Sequence, residues 1–269
     1  MAILNVTPDS FSDGGKFFSI DEALKQAEKM IADGACIIDV GGESTRPKSK
    51  RASAEEEIRR VVPVIEALRA RFDIPVSIDT SKGEVAEKGV EAGAEIINDI
   101  SGLRFDERIA EVAAKHRTGL VLMHLRGEFE TMHEQKPVAD ILAEVSNGFL
   151  WSIERAKNYG VNEGQIALDI GIGFSKTFAQ NLELIAKLDK LIEKFPGFPM
   201  LVGASRKSFI GKILDDAPVD RRLHGTLAAN VIAVWKGANI VRVHDVAETV
   251  EALKVIDSIK LGARAASPQ

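Results

Sequence analysis

The sequence predicts an α/β fold, a closed (β/α)8 or TIM barrel, and three observations predict it. Apolar runs of strand length recur eight times, at residues 2–4, 36–40, 75–79, 95–98, 119–123, 166–169, 200–204 and 240–243. Amphipathic helical segments occupy most of the intervals between them. Every run ends in polar residues: Asn5, Asp39, Asp79, Asn98-Asp99, His124, Asp169, Ser205-Arg206-Lys207, and Arg242 with His244. Barrels of this kind carry their chemistry at the C-terminal ends of the strands. A polar ring around one barrel mouth accounts for the pattern more simply than a doubly wound open sheet.

The elements follow in order. Ala2-Ile3-Leu4 is an apolar strand that breaks into Asn5-Val-Thr-Pro-Asp-Ser-Phe-Ser-Asp-Gly-Gly15, a loop holding an amide, carboxylates, hydroxyls and an aromatic ring. Ala23, Leu24, Ala27, Met30 and Ile31 then form one stripe at helical spacing, with Ser19 and Glu22 as a capping box and Gly34 as the stop. Cys36 falls inside the second apolar run and reads as a small buried hydrophobe. Ser53 with Glu56 opens the next helix, which Pro63 is expected to kink. Several of the later runs are near-continuous Val, Ile and Leu, as for parallel strands covered on both faces. Asp245 with Glu248 opens the last helix, and Val246, Val250, Leu253 and Ile256 are its buried face. Residues 1–262 read as a single domain and 263–269 as a disordered tail.

Composition narrows the function. With 45% apolar residues the 269-residue chain can bury a large core. A net charge of −5 argues against general binding to nucleic acid or anionic membranes, while leaving room for a local basic pocket. One cysteine excludes an intrachain disulfide and fits a reducing compartment, and neither a transmembrane run nor a signal peptide is present, so the expected location is cytoplasmic.

The ring of polar ends has an acceptor half and a cationic half. Asp79, Asn98 and Asp169 offer acceptors from three strands to a ligand edge rich in N–H donors, such as an aminopyrimidine. Lys207, Arg242 and His244 offer positive charge, and Arg242 and His244 stand two apart, so both side chains point the same way to clamp a phosphate or pyrophosphate. No His/Cys set has zinc spacing. Asn5 can give one oxygen to magnesium, which is too little for a protein-only site, so a metal is expected to arrive with a pyrophosphate, with Asp9 or Asp13 assisting through water. There is no P-loop and no nucleophile elbow, and Gly171-Ile-Gly-Phe174 lacks the dinucleotide spacing.

The loop from Asn5 to Asp13, Gly42-Glu-Ser-Thr-Arg-Pro47, Ser77-Ile-Asp-Thr80, Asn98-Asp-Ile-Ser-Gly102, Met123-His124, Asp169-Ile-Gly-Ile-Gly-Phe174, Ser205-Arg-Lys-Ser208 and Arg242-Val-His-Asp245 together resemble the dihydropteroate synthase family, in order from residue 1 to about residue 260. The resemblance implies condensation of a pterin methyl pyrophosphate with p-aminobenzoate, magnesium, and a homodimer. It implies pterin binding by Asp79, Asn98, Met123, Asp169 and Lys207, with Lys207, Asp79 and Asp169 central to catalysis. It places pyrophosphate at Asn5, Thr45, Arg242, Val243 and His244, the metal at Asn5 with Asp13 through water, and p-aminobenzoate at Phe11, Thr45, Arg46, Pro47, Phe174, Lys207 and Ser208. The chemistry it implies is dissociative: pyrophosphate departs, carboxylates stabilise the pterin cation, and the loops after the first two strands close to exclude water.

Ala2, Lys48, Ile170 and Ser175 depart from that family's usual Gly, Gly, Pro and Gly. Relatives usually carry a segment before the first strand, so the chain is expected to be trimmed. Two other readings compete, a pterin-dependent methyltransferase and a non-catalytic relative. Methyl transfer would leave Arg242, His244 and Ser205-Arg206-Lys207 with no pyrophosphate to hold, and the filled ionisable positions argue against a scaffold.

Overall fold

The structure is a computed structural model that describes residues 1–7, 20–46 and 49–265. Ser19, Phe11, Asp9, Asp13, Pro47 and Lys48 lie outside the described residues, as do 266–269 of the expected tail. Among the described residues eight parallel strands form one sheet in sequential order: β1 (Ala2–Asn5), β2 (Ile38–Gly41), β3 (Val76–Asp79), β4 (Ile96–Asp99), β5 (Gly119–Met123), β6 (Ile166–Asp169), β7 (Met200–Val202) and β8 (Ile240–Val241). The sheet closes on itself where Ala2 bridges Val243: the Ile3 N–H donates to the Val243 carbonyl at 2.9 Å and the Val243 N–H to the Met1 carbonyl at 3.0 Å. The (β/α)8 barrel is therefore complete.

Helices α1 (Ile20–Ala32), α2 (Ala54–Arg71), α3 (Gly83–Glu91), α4 (Arg108–His116), α5 (Ile141–Asn158), α6 (Phe178–Ala186), α7 (Leu188–Lys194), α8 (Ser208–Ile213), α9 (Leu223–Trp235) and α10 (Val246–Ala265) wrap the outside. The Ser53 hydroxyl caps α2 by accepting from the Glu56 N–H, and α2 continues through Pro63. The α10 helix runs past Gly262 to Ala265. Asp245 spends its carboxylate on Arg206. No helix among the described residues is long and apolar enough to cross a membrane.

Strand alternation separates core from site. In β3, Ile78 is fully buried and packs so closely on α3 that a Cβ at Gly89 would overlap its Cδ1 atom. Ser77 and Asp79 consequently face the opposite way, into the barrel. Register then places Asn5, Gly41, Asp79 and Asn98 side by side across β1 to β4.

Cys36 corrects the sequence reading, for it is exposed. Gly34, at φ +99, turns the chain out of α1, and β2 begins only at Ile38, so the apolar run holding Cys36 is partly a connecting turn.

Candidate active site

A cavity opens at the C-terminal mouth, lined by Ile3, Thr45, Asp79, Asn98, Ile100, Met123, Asp169, Phe174, Gly203, Ser205, Lys207, Arg242 and His244. Nine of the residues expected from the motifs therefore meet in one space: Thr45, Asp79, Asn98, Met123, Asp169, Phe174, Lys207, Arg242 and His244. Asn5 adjoins them: its Oδ1 and the Asp79 Oδ2 each lie 3.5 Å from where a Cβ of Gly41 would stand. Arg46 and Ser208 are exposed and do not line the cavity. Val243 is a correction, since its N–H and carbonyl close the barrel and its side chain is buried, leaving nothing to offer pyrophosphate.

The acceptor and cationic halves are interlocked rather than separate. Arg242 donates from Nε to Asp39 Oδ2 and from Nη2 to Asp79 Oδ2, each at 2.6 Å. The Asn98 Nδ2 donates to the same Asp39 oxygen at 3.0 Å. Asp39 is fully buried, and its other oxygen has no partner among the described residues. By holding the amide nitrogen, Asp39 leaves the Asn98 oxygen as the group for a ligand's N–H. Sequence reasoning named Asp39 only as a polar strand end; its pairing with a residue at the far end of the chain has no local signature.

Burial sets the charges. Burial lifts Asp79 to about 7, with Arg242 opposing the rise and Asp39 adding to it. Burial raises Asp169 too, against the pull of Lys207 and of the Gly171 N–H, which donates to Oδ1 at 2.7 Å. Lys207 falls to about 8 through burial, resisted by Asp169. Its ammonium donates to the Ile172 carbonyl and stands 4.4 Å from the Phe174 ring centroid. Burial would lower Arg242, but Asp39 and Asp79 outweigh it and keep the guanidinium charged.

His244 corrects a second expectation, that of a positive clamp. Burial, reinforced by Arg242 and Arg206, lowers it to about 4, so it is neutral at pH 7. The Ser205 Oγ accepts from the His244 N–H at 3.2 Å and lies 2.9 Å from Nδ1. A hydroxyl donating to Nδ1 places the ring proton on Nε2, so His244 offers a neutral donor.

The loops around the mouth are tied from behind. Lys82 donates to Glu57 at 2.6 Å and pairs with Glu43 at 2.9 Å, and Glu43 accepts the Ala52 N–H, which anchors both ends of the loop after β2. Ser175, at φ +56, occupies the left-handed region, which accounts for the glycine common there. Ile170 is fully buried beneath the same loop. His124 faces away from the cavity, with its Nδ1 3.1 Å from the Nζ of Lys176, whose pKa burial lowers well below the ordinary lysine value.

A barrel whose mouth presents three acceptor side chains beside a lysine and an arginine is a binder of donor-rich heterocycles carrying an anionic group. The sequence pattern described as "Pterin binding enzyme" matches residues 1–244, and the chain belongs to that family. Within it the chain groups with the dihydropteroate synthases. It is 49% identical to the dihydropteroate synthase of Synechocystis sp. over 96% of this chain and 89% of that one. The Yersinia pestis dihydropteroate synthase, solved with a sulfonamide drug complex, superposes with a TM-score of 0.90 at 44% identity, covering 97% of this chain and 93% of that one. The Xanthomonas albilineans dihydropteroate synthase, solved with 4-aminobenzoic acid, does so with a TM-score of 0.90 at 40% identity, covering 99% and 93%.

Proposed function

We propose that this chain condenses 6-hydroxymethyl-7,8-dihydropterin pyrophosphate with p-aminobenzoate to give 7,8-dihydropteroate and pyrophosphate. The single observation that carries the reading is that Asp79, Asn98, Asp169, Lys207, Arg242 and His244 share one cavity. The pterin N–H groups bind Asp79, the Asn98 oxygen and Asp169. Lys207 exchanges the Ile172 carbonyl for a pterin acceptor, while its stem and Phe174 flank the amine. As pterin takes Asp79, Arg242 releases that carboxylate, keeps Asp39, and turns one edge of its fork to the pyrophosphate. His244 and Asn5 add hydrogen bonds to the same group.

The C–O bond to pyrophosphate breaks and its electron pair leaves with the anion. Asp79 and Asp169 stabilise the cation left on the pterin. The amine nitrogen attacks the methylene carbon and then loses a proton. No group of three His, Cys, Asp or Glu able to hold a metal occurs among the described residues. Asn5 supplies one oxygen, which fits a divalent ion, magnesium by its preference for oxygen, that arrives with the pyrophosphate. When bound, that ion neutralises charge on the leaving group.

Ile232 and Trp235 on α9 and Val255 and Ile259 on α10 are exposed on adjacent helices. They support a homodimer, which light scattering of wild type and W235D tests. We place residues 1–262 in one domain. Pyrophosphate release measured with and without p-aminobenzoate tests the activity: release that depends on the amine is expected, and no release, or release indifferent to it, refutes the reading.

A further inference from the structure

The loop between β5 and α5 belongs to none of the motifs assigned to a substrate, yet it reaches both walls of the amine site. The His133 Nε2 lies 2.9 Å from the Thr45 carbonyl oxygen, and against a carbonyl it must be the donor. The same imidazole stacks on Phe174, with centroids 5.6 Å apart and planes at 29°. Phe174 carries the Lys207 ammonium over its ring. One side chain thus joins the loop after β2 to the loop after β6, and through it to the lysine after β7.

The residue before His133 is fixed. Met132 is buried in a small apolar cluster over the barrel mouth that also contains Phe174. Its carbonyl lies 3.0 Å from the Ser175 Oγ, which also accepts the Arg126 N–H at 2.8 Å. Ser175 therefore ties the loop after β5 to the loop carrying Phe174, and His133 projects from that tied base toward Thr45.

We propose that His133 is a positioning residue for the amine substrate, holding Thr45 and Phe174 at the separation a flat aromatic amine requires. The inference rests on the condensation reading above. It involves no contact with pterin, because the pterin groups lie on the strand ends and His133 touches none of them.

The test is steady-state kinetics of wild type, H133A and H133Q, varying each substrate with the other saturating. Loss of the hydrogen bond and the ring contact should raise the KM for p-aminobenzoate roughly fivefold or more. The KM for the pterin pyrophosphate should stay within about twofold. In H133Q the amide nitrogen stands close to the place of Nε2 and can still donate to Thr45, so part of the loss should return. An H133A enzyme with an unchanged amine KM overturns the proposal. So does an equal rise in both KM values with a fallen Tm, which marks a merely structural role. Failure of the underlying reading shows separately, as wild type without amine-dependent pyrophosphate release. Calorimetry of p-aminobenzoate binding to wild type and H133A, with pterin and magnesium pyrophosphate present, then still decides the matter, equal affinity overturning it.

Discussion

Replacing Asp79 by asparagine separates what the carboxylate does for folding from what it does for binding. In the folded chain its pKa stands at about 7, against an ordinary value of 3.8. That displacement of about 3 units corresponds to roughly 4 kcal/mol between its two protonation states. The folded chain holds the proton up to about pH 7, whereas the unfolded chain releases it near 3.8. The stability this group contributes is therefore complete below 3.8 and declines as pH rises through 7. Asp79→Asn removes that decline. Part of the gain at alkaline pH is offset because Arg242 loses one carboxylate, although it keeps Asp39. A net stabilisation of roughly 1 to 2 kcal/mol at about pH 8 is expected. Urea unfolding at about pH 5 and about pH 8 measures it: the difference between variant and wild type should move by up to about 3 kcal/mol in the variant's favour across that interval. Calorimetry with a pterin should show affinity lowered roughly tenfold or more, since an acceptor becomes a donor facing ring N–H groups. A stability difference flat across that pH range, or pterin affinity left intact, would refute the reasoning.

Three further outcomes are expected. Lys207→Ala should lower turnover at least about tenfold, and kcat/KM of wild type should fall as pH passes the Lys207 value of about 8; a flat profile to about pH 9.5 would show that the ammonium charge is not needed. Gly171→Ala should cost roughly 3 kcal/mol or more, read as a Tm lower by about 6 °C, because φ is +64 and the new Cβ would overlap the His124 carbonyl; a Tm within about 2 °C of wild type sinks that account. His244 titrates at about 4 when folded and 6.5 when free, so its contribution to stability is full above 6.5 and is lost as pH falls through 4. His244→Gln should show a shallower acid decline in that window, and an unchanged slope counts against a buried neutral imidazole.

The barrel was legible because each strand combines a burial pattern with a polar end, and both are local properties. Strand bounds moved by no more than two residues, and in β2, which starts behind the turn at Gly34, and in β7, which stops before Gly203, a glycine accounts for the move. The cavity residues were legible for the same reason. What stayed hidden was every property that depends on which strand ends meet. Asp39 pairs with Arg242 across 203 positions, and His133 meets Thr45 across 88. The charge of His244 follows from its burial, reinforced by Arg242 two residues away and by Arg206, which only the fold brings near; neither the burial nor the Arg206 neighbour can be read from the local sequence. Ser175 was recognised as a departure, and the left-handed backbone beneath it explains what is usual at that position.

The seam of the barrel has a consequence of its own. β8 contributes only Ile240 and Val241, and the cylinder is sealed there by the bridge between Ala2 and Val243 and by the Met1 amino group, which donates to the Val241 carbonyl at 3.1 Å. Arg242 and His244 flank the bridging residue. A cylinder under thermal stress parts first along its narrowest join, and here parting would carry the guanidinium away from Asp39 and Asp79 while the other strands remain zipped. Catalytic failure would then precede loss of helical signal on heating. The fastest-exchanging sheet amides would be those of Ile3 and Val243, which makes the lifetime of the working site a property of a few backbone hydrogen bonds along its seam.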